Sequence, residues 1–212
     1  MHVAEEGESR IYQEGAKIML KETVWYHGTN ESSAFNICDV GIDFSKSRKE
    51  HDFGIGFYLT DDIDVARRRA ISQTRKYNRI YRKNEKPAIV TIVINEGILK
   101  KLSVRNFEYC NEEWLFFVLA NRLSKEFLDK HDIIEHNLDL RYDVVIGSIA
   151  DSDVSGLASH IEDGDLTFED ISVYDVLAEE GTTLGLQMSF HTTRSLSAVI
   201  SKSFDVIEGR NK

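Results

Sequence analysis

The run Ala88-Ile89-Val90-Thr91-Ile92-Val93-Ile94 constrains this chain more than any other stretch. All of it after Ala88 branches at Cβ, which stiffens the side chains, disfavours a helix and suits a pleated surface. Lys86-Pro87 stops any helix arriving from upstream. Such a run reads as a central strand buried on both faces, the heart of a sheet.

The stretch Asp52-Phe53-Gly54-Ile55-Gly56-Phe57-Tyr58-Leu59-Thr60 comes next in importance. Its two glycines permit backbone approaches a side chain would forbid, and Phe57 to Thr60 then reads as a short buried strand. Ahead of it, Trp25-Tyr26-His27-Gly28-Thr29 belongs to a strand expected from Thr23 to His27. The two stretches read as facing walls of one nucleotide pocket.

The remaining pattern alternates helices and strands. A helix is expected from Asn30 to Val40, capped by Asn30 or Ser32 and stopped by Gly41. A charged helix runs from about Asp61 to Tyr77 and fades near Asn84. Its basic residues, Arg67, Arg68, Arg69, Arg75, Lys76, Arg79, Arg82 and Lys83, spread around the circumference and read as a solvated face, with a phosphate-binding role as the alternative. Leu102 to Phe107 is an expected edge strand and Glu112 to Leu128 one helix, in which Trp114 and Phe117 read as core. Strands are expected at Tyr142 to Gly147, Thr183 to Phe190 and Phe204 to Ile207. Helices are expected at Val154 to Ile161, Thr167 to Glu179, and after Thr192-Thr193 to Ile200.

A chain of 212 residues with one proline and no Gly/Ser-rich linker is most simply one domain. Residues 1–22 are expected to be a loosely ordered segment ahead of a domain spanning 23–212. The net charge of −10 argues against a protein devoted to holding duplex DNA. Two cysteines, Cys38 and Cys110, are too few for a disulfide scaffold and too far apart for a zinc site. The first residues lack a signal-peptide pattern and no apolar run approaches a membrane span, so the expectation is a cytoplasmic protein with no membrane partner.

Several motifs fail on inspection. Asp52-Phe53-Gly54 spells a kinase metal motif, but neither a Val-Ala-Ile-Lys strand nor a His-Arg-Asp loop accompanies it. Gly54-Ile55-Gly56 begins like a dinucleotide fingerprint, yet Leu59 stands where its third glycine belongs and strand residues follow. No His-Glu-x-x-His and no Gly-x-Ser-x-Gly occur, so a metal site and a hydrolase triad are not expected.

Tyr26-His27-Gly28-Thr29, then Gly56-Phe57-Tyr58-Leu59-Thr60 with Ala66 on the following helix, resemble the first two motifs of ADP-ribosyltransferases of the diphtheria-toxin and poly-ADP-ribose-polymerase type. Asp52 to Thr60, Trp114 with Asn121-Arg122, Tyr142 to Asp151, and Gln187 with Phe190 and Thr192 resemble a bacterial family described as a domain of unknown function with an ADP-ribosyltransferase-like reading. The likeness runs from Val24 to Ile200. It implies an α+β fold, a split and mainly antiparallel sheet around a cleft for nicotinamide adenine dinucleotide (NAD), which is held bent as a substrate.

By that resemblance His27 bonds a ribose hydroxyl, the Gly28 backbone pairs with the carboxamide, and Tyr58 stacks on the nicotinamide ring. Thr29, Phe53, Gly54, Gly56, Asn121 and Arg122 complete the expected dinucleotide contacts. The third motif departs from the superfamily, since Gln187 occupies the place of a glutamate that favours the positive transition state. Asp151, Glu179 and Glu180 are acids that would substitute, Asp151 being the best placed. Taken alone, His27 and Tyr58 each read as core residues; their joint appearance with Gly28, Gly54 and Gly56 reverses that. The implied function is mono-ADP-ribosylation of a macromolecule, protein or nucleic acid, in a bacterial toxin or defence effector with a neutralising antitoxin partner. The alternatives are a catalytically weak NAD-binding module, an NAD glycohydrolase, or an interaction protein with a vestigial pocket.

Overall fold

The computed structural model describes residues 21–47, 51–150, 152–171 and 185–208. Among them, strands β1 (Glu22–Asn30), β2 (Phe57–Thr60), β3 (Pro87–Asn95), β4 (Val104–Asn106), β5 (Val144–Ser148), β6 (Leu186–Phe190) and β7 (Val199–Val206) form one sheet. Its order is β4-β5-β6-β2-β1-β3-β7. The edge pair β4–β5 is parallel and the other pairs are antiparallel. Helices α1 (Glu31–Asp39), α2 (Ile63–Tyr81), α3 (Glu96–Leu99), α4 (Glu112–Arg122), α5 (Lys125–Lys130) and α6 (Ser152–Glu162) complete a single α+β domain. No helix among the described residues is long and apolar enough to cross a membrane.

The centre of the sheet is β2, four residues long, and not the β-branched run. β3 lies one strand in from the edge, between β1 and β7. Its even-numbered residues Ala88, Val90, Ile92 and Ile94 are buried in a core with Trp25, Leu59, Met188 and Phe190. On the opposite face Ile89 is covered by Ala66 and Ala70 of α2, and Asn95 is buried at the strand's end, while Thr91 and Val93 remain half-buried. The run is therefore fully buried on one face and partly on the other, because α2 crosses only its beginning. A second core gathers Phe53, Phe107, Trp114, Phe117 and Val145 with residues of α6. Trp114 is fully buried and donates its indole N–H to Ser148 O at 3.2 Å.

Asp62 caps α2 by accepting from the Asp64 and Val65 amides. The helix stops at Arg82, which adopts a left-handed conformation at φ 52°. Ala66, Ala70 and Thr74 recur every four residues as its buried stripe. At Gly28 a Cβ would stand 2.0 Å from Ala66 O and 2.7 Å from Ala70 N. Glycine on the strand facing alanine on the helix lets the two backbones touch.

Three expected elements differ. The helix from Glu112 to Leu128 breaks at Leu123 and restarts as α5, because Ser124 caps the second piece by accepting from Phe127 N at 3.1 Å. The same serine is tied to Glu162 of α6 through its amide at 2.9 Å and through its hydroxyl. A hydroxyl that bonds elsewhere competes with helix continuation. After Thr192 the chain makes a 3-10 stretch, Thr193–Ala198, and then β7 rather than a helix to Ile200. The open edge of β3 takes up those residues as a strand of eight. From Thr167, a 3-10 turn at Phe168–Asp170 replaces the start of the expected helix, and its remainder lies outside the described residues, as do residues 1–20.

Candidate functional site

β1 pairs with β3 along all its nine residues but with β2 only at Tyr26↔Thr60. Beyond that point the two strands diverge, and the His27 side chain bridges the gap by a bond from Nδ1 to Tyr58 O at 2.8 Å. A cleft of about 560 Å³ opens at this split, within the usual range for small-molecule sites. His27 and Gly28 from β1, Tyr58 and Thr60 from β2, and Gln187 from β6 line it, together with Asp52 and Arg122.

The Tyr58 carbonyl can only accept, so Nδ1 of His27 carries the hydrogen. Burial, with Arg69 and His51 adding like charge, lowers the imidazole pKa to about 4 against the opposing carbonyl bond. The ring is therefore neutral near pH 7, and its Nε2 is an acceptor. His27 keeps part of its surface on the cleft, so its burial is incomplete.

Tyr58 donates its hydroxyl to Gly54 O at 2.7 Å and accepts from Phe53 N at 3.0 Å. Burial first and the Asp52 charge second push the phenol well above its ordinary range. With the hydroxyl committed to the glycine turn, what Tyr58 has left for a ligand is its ring. His51 sits beside that ring, its centroid 4.8 Å away.

Gln187 is opposite Thr60 on β2 and Gly147 on β5. Its Nε2 donates to Asp52 Oδ2 at 2.6 Å and to Ser148 O at 3.1 Å. Both partners are acceptors, which fixes the amide orientation. What remains for a ligand is Oε1, an acceptor.

Asp52 itself accepts from Arg122 at 2.5 Å and from Ala150 N at 3.0 Å. Both members of the Asp52–Arg122 pair are mostly buried, with 13% and 7% of their side chains exposed. Sequence reasoning singled out Arg122 but not Asp52. The available signal is a carboxylate that heads the glycine turn and opens the stretch carrying the family resemblance.

Part of the basic helix also faces the cleft, although the sequence favours a solvated face over a phosphate-binding one. Arg68, Arg69, Ser72 and Gln73 of α2 line it beside Val65 and Ala66. Spacings of three and four along a helix make this a single stripe. Arg69 also lines a neighbouring cavity of about 260 Å³, bounded by Thr29, Ser33, Asn36, Lys46, Gly56 and Phe57. His27, His51, Tyr58 and Arg69 line both spaces, so the two cavities adjoin and share a cation.

Of the other expected contacts, Thr29 and Gly56 bound the smaller cavity and Gly28 the larger, while the rest are placed elsewhere. Phe53 is fully buried in the core behind the cleft, packed on Phe107 and Phe117. Gly54 holds φ 85° and supplies the carbonyl that receives Tyr58. Gly56 is packed against His191, where a Cβ would come within 2.8 Å of Nδ1. Asn121 is buried and turned away: it donates to Phe117 O at 2.7 Å and accepts from Asn137 N at 2.8 Å. Its amide braces the 137 loop and stands against Gly54. Gly28 reaches the cleft, but its lack of a Cβ is required by α2. Asp151, Glu179 and Glu180 lie outside the described residues.

A buried Ser189–His191 pair, 2.7 Å apart, has the look of a nucleophile with its base. Both residues are closed off from solvent, and His191 bonds Ile55 O at 2.7 Å, so the pair pins the glycine turn. No curated protein and no solved structure matches the chain. One family model does, over residues 24–200, and by that match the chain belongs to the family described as protein of unknown function, DUF3990.

Proposed function

We propose that the chain cleaves the nicotinamide–ribose bond of NAD and passes the ADP-ribosyl group to a macromolecule, in the manner of ADP-ribosyltransferases. The observation that carries this reading is that His27, Tyr58 and Gln187, from three strands, line one cleft. The two adjoining cavities, with Arg69 lining both, suit a ligand of two nucleoside halves joined by an anionic diphosphate.

In the reaction the C1′–N bond breaks and nicotinamide leaves neutral with the bonding electron pair. The ribosyl carbon becomes cationic and is captured by a nucleophile, which gives up its proton to solvent or a base. The His27 Nε2 acceptor takes a hydrogen bond from a ribose hydroxyl, and the Tyr58 ring face packs on the flat pyridine. Gln187 Oε1 accepts from the second ribose, near the developing positive charge. The acceptor nucleophile is a protein or nucleic-acid group, and a protein that neutralises the activity is a fitting partner for it.

The test is incubation with NAD labelled in its adenylate half, with and without cell lysate, followed by assay of free nicotinamide and labelled macromolecules. The expected result is nicotinamide release with label transferred, both lost in His27→Ala. Nicotinamide release with all label in free ADP-ribose would identify water as the acceptor. Binding by calorimetry with no release would make the chain a binding module, and no binding at millimolar NAD would overturn the reading.

A further inference from the structure

The geometry points to Asp52 and Gln187 as one functional unit, in which Asp52 is a positioning residue that turns the Gln187 amide so that Oε1 is presented to the ribose. The inference rests on the NAD-cleaving reading and adds to it a residue outside the His, Tyr and Gln positions. It also explains why an amide stands where the superfamily carries a carboxylate.

Residue 187 faces two acceptors, Asp52 Oδ2 at 2.6 Å and Ser148 O at 3.1 Å. A primary amide has two hydrogens on one nitrogen and satisfies both. An ionised glutamate has none, and would set its negative oxygen against a carboxylate and a carbonyl. Two carboxylates this close cannot both ionise, so one stays protonated. Gln187 is therefore the side chain this position is built for.

Asp52 is in turn held in place. Arg122 takes Oδ1, and the Ala150 amide shares Oδ2 with Gln187. The carboxylate sits at the back of Gln187, with its negative charge against the amide hydrogens. A bond to a charged acceptor is stronger than a neutral one and polarises the amide, making Oε1 the better acceptor. The charge that a glutamate would carry at the ribose is thus displaced by one hydrogen bond and acts through the amide.

The experiment compares the full chain with Asp52→Asn and Gln187→Glu. In steady-state nicotinamide release, Asp52→Asn is expected to lower kcat tenfold or more with KM for NAD changed less than threefold, because Oε1 acts on charge that develops only in the transition state. A kcat within twofold of wild type would overturn the proposal. Gln187→Glu supplies a readout independent of turnover and of whether Asp52→Asn folds. Its introduced carboxyl, pressed on two acceptors, has a raised folded-state pKa. The variant is then expected to come closest to wild-type stability near pH 4, where the protonated carboxyl still donates one of the two bonds, and to fall progressively further below it as pH rises from the ordinary glutamate pKa toward the raised folded-state value. A stability difference from wild type that stays constant from pH 4 to 8 would refute the pairing. If the wild-type chain releases no nicotinamide, the activity and the catalytic use of Asp52 both fail, while the titration still decides whether the pair exists.

Discussion

Replacing Gly28 by alanine separates two reasons for a glycine at the cleft, room for a ligand and room for a helix. An added Cβ would lie 2.0 Å from Ala66 O, an ångström inside the 3.0 Å that real Cβ atoms respect. Both this oxygen and Ala70 N are backbone atoms of α2, so no side-chain rotation relieves the contact; the helix must move off β1 or bend. Overpacking commonly costs about 1–3 kcal/mol, and an obstacle made of backbone puts this case at about 3 kcal/mol or more. For a chain of this size each kcal/mol moves Tm by about 2–4 °C, giving a fall of about 6–12 °C.

The matched control is Gly156→Ala in α6. Among the described residues a Cβ there meets nothing within 4 Å, and alanine in a helix interior is favoured over glycine by about 0.5–1 kcal/mol. The same chemical change is therefore expected to raise Tm by about 1–4 °C. Differential scanning calorimetry of the two variants without ligand reads both signs. A Gly28→Ala protein melting within a degree of wild type would show that α2 does not rest on the strand as described, leaving ligand access as the reason for the glycine.

His191 makes stability depend on pH. Burial holds its folded pKa at about 4, so between about pH 6.5 and 4 the unfolded chain binds a proton that the folded chain refuses. Its contribution is fully present above about pH 6.5 and is lost as pH falls, by about 3 kcal/mol at pH 4. His27 acts in the same window with the same sign, reduced because its side chain is only partly buried at the cleft. Urea unfolding at pH 7.5 and 5.0 measures the slope, and His191→Gln should flatten it; an unchanged slope would remove His191 as its source. Tyr58→Phe keeps the aromatic face and deletes the hydroxyl that braces Phe53 N and Gly54 O. It is expected to cost about 1–2 kcal/mol, and a loss under about 0.3 kcal/mol in urea unfolding would mean the hydroxyl does not support the turn.

Local signals in the sequence located most elements. Asn30, Asp62 and Thr192 each cap the element that follows, because a cap is a property of a few adjacent residues. The β-branched run became a strand but not the centre of the sheet, since strand order depends on which partners come from elsewhere in the chain. The pairing of β6 on β2 is set by contacts across more than a hundred residues. Site residues divide in the same way. His27, Tyr58 and Gln187 stand at ends and faces of strands, where alternation already gives their direction. Asn121 sits one residue before Arg122 on α4 and consequently points elsewhere, a difference that sequence adjacency conceals. Asp52 is invisible as a partner of Gln187 because 135 residues separate them.

The Asp52–Arg122 pair is a poor device for stability alone. Burying two charges carries a desolvation penalty of several kcal/mol per ion, and a packed apolar pair often holds two elements as well or better. What an apolar residue cannot do at position 52 is accept from three donors at once, the Arg122 guanidinium, the Ala150 amide and the Gln187 amide. A carboxylate, with about four lone-pair sites on two oxygens, can. The three donors come from α4, from the residue two beyond β5, and from β6, and the acceptor comes from the turn that precedes β2. One side chain therefore ties the glycine turn to three elements around the cleft while leaving the Gln187 oxygen uncommitted. That combination accounts for a buried ion pair at the place where the sheet splits.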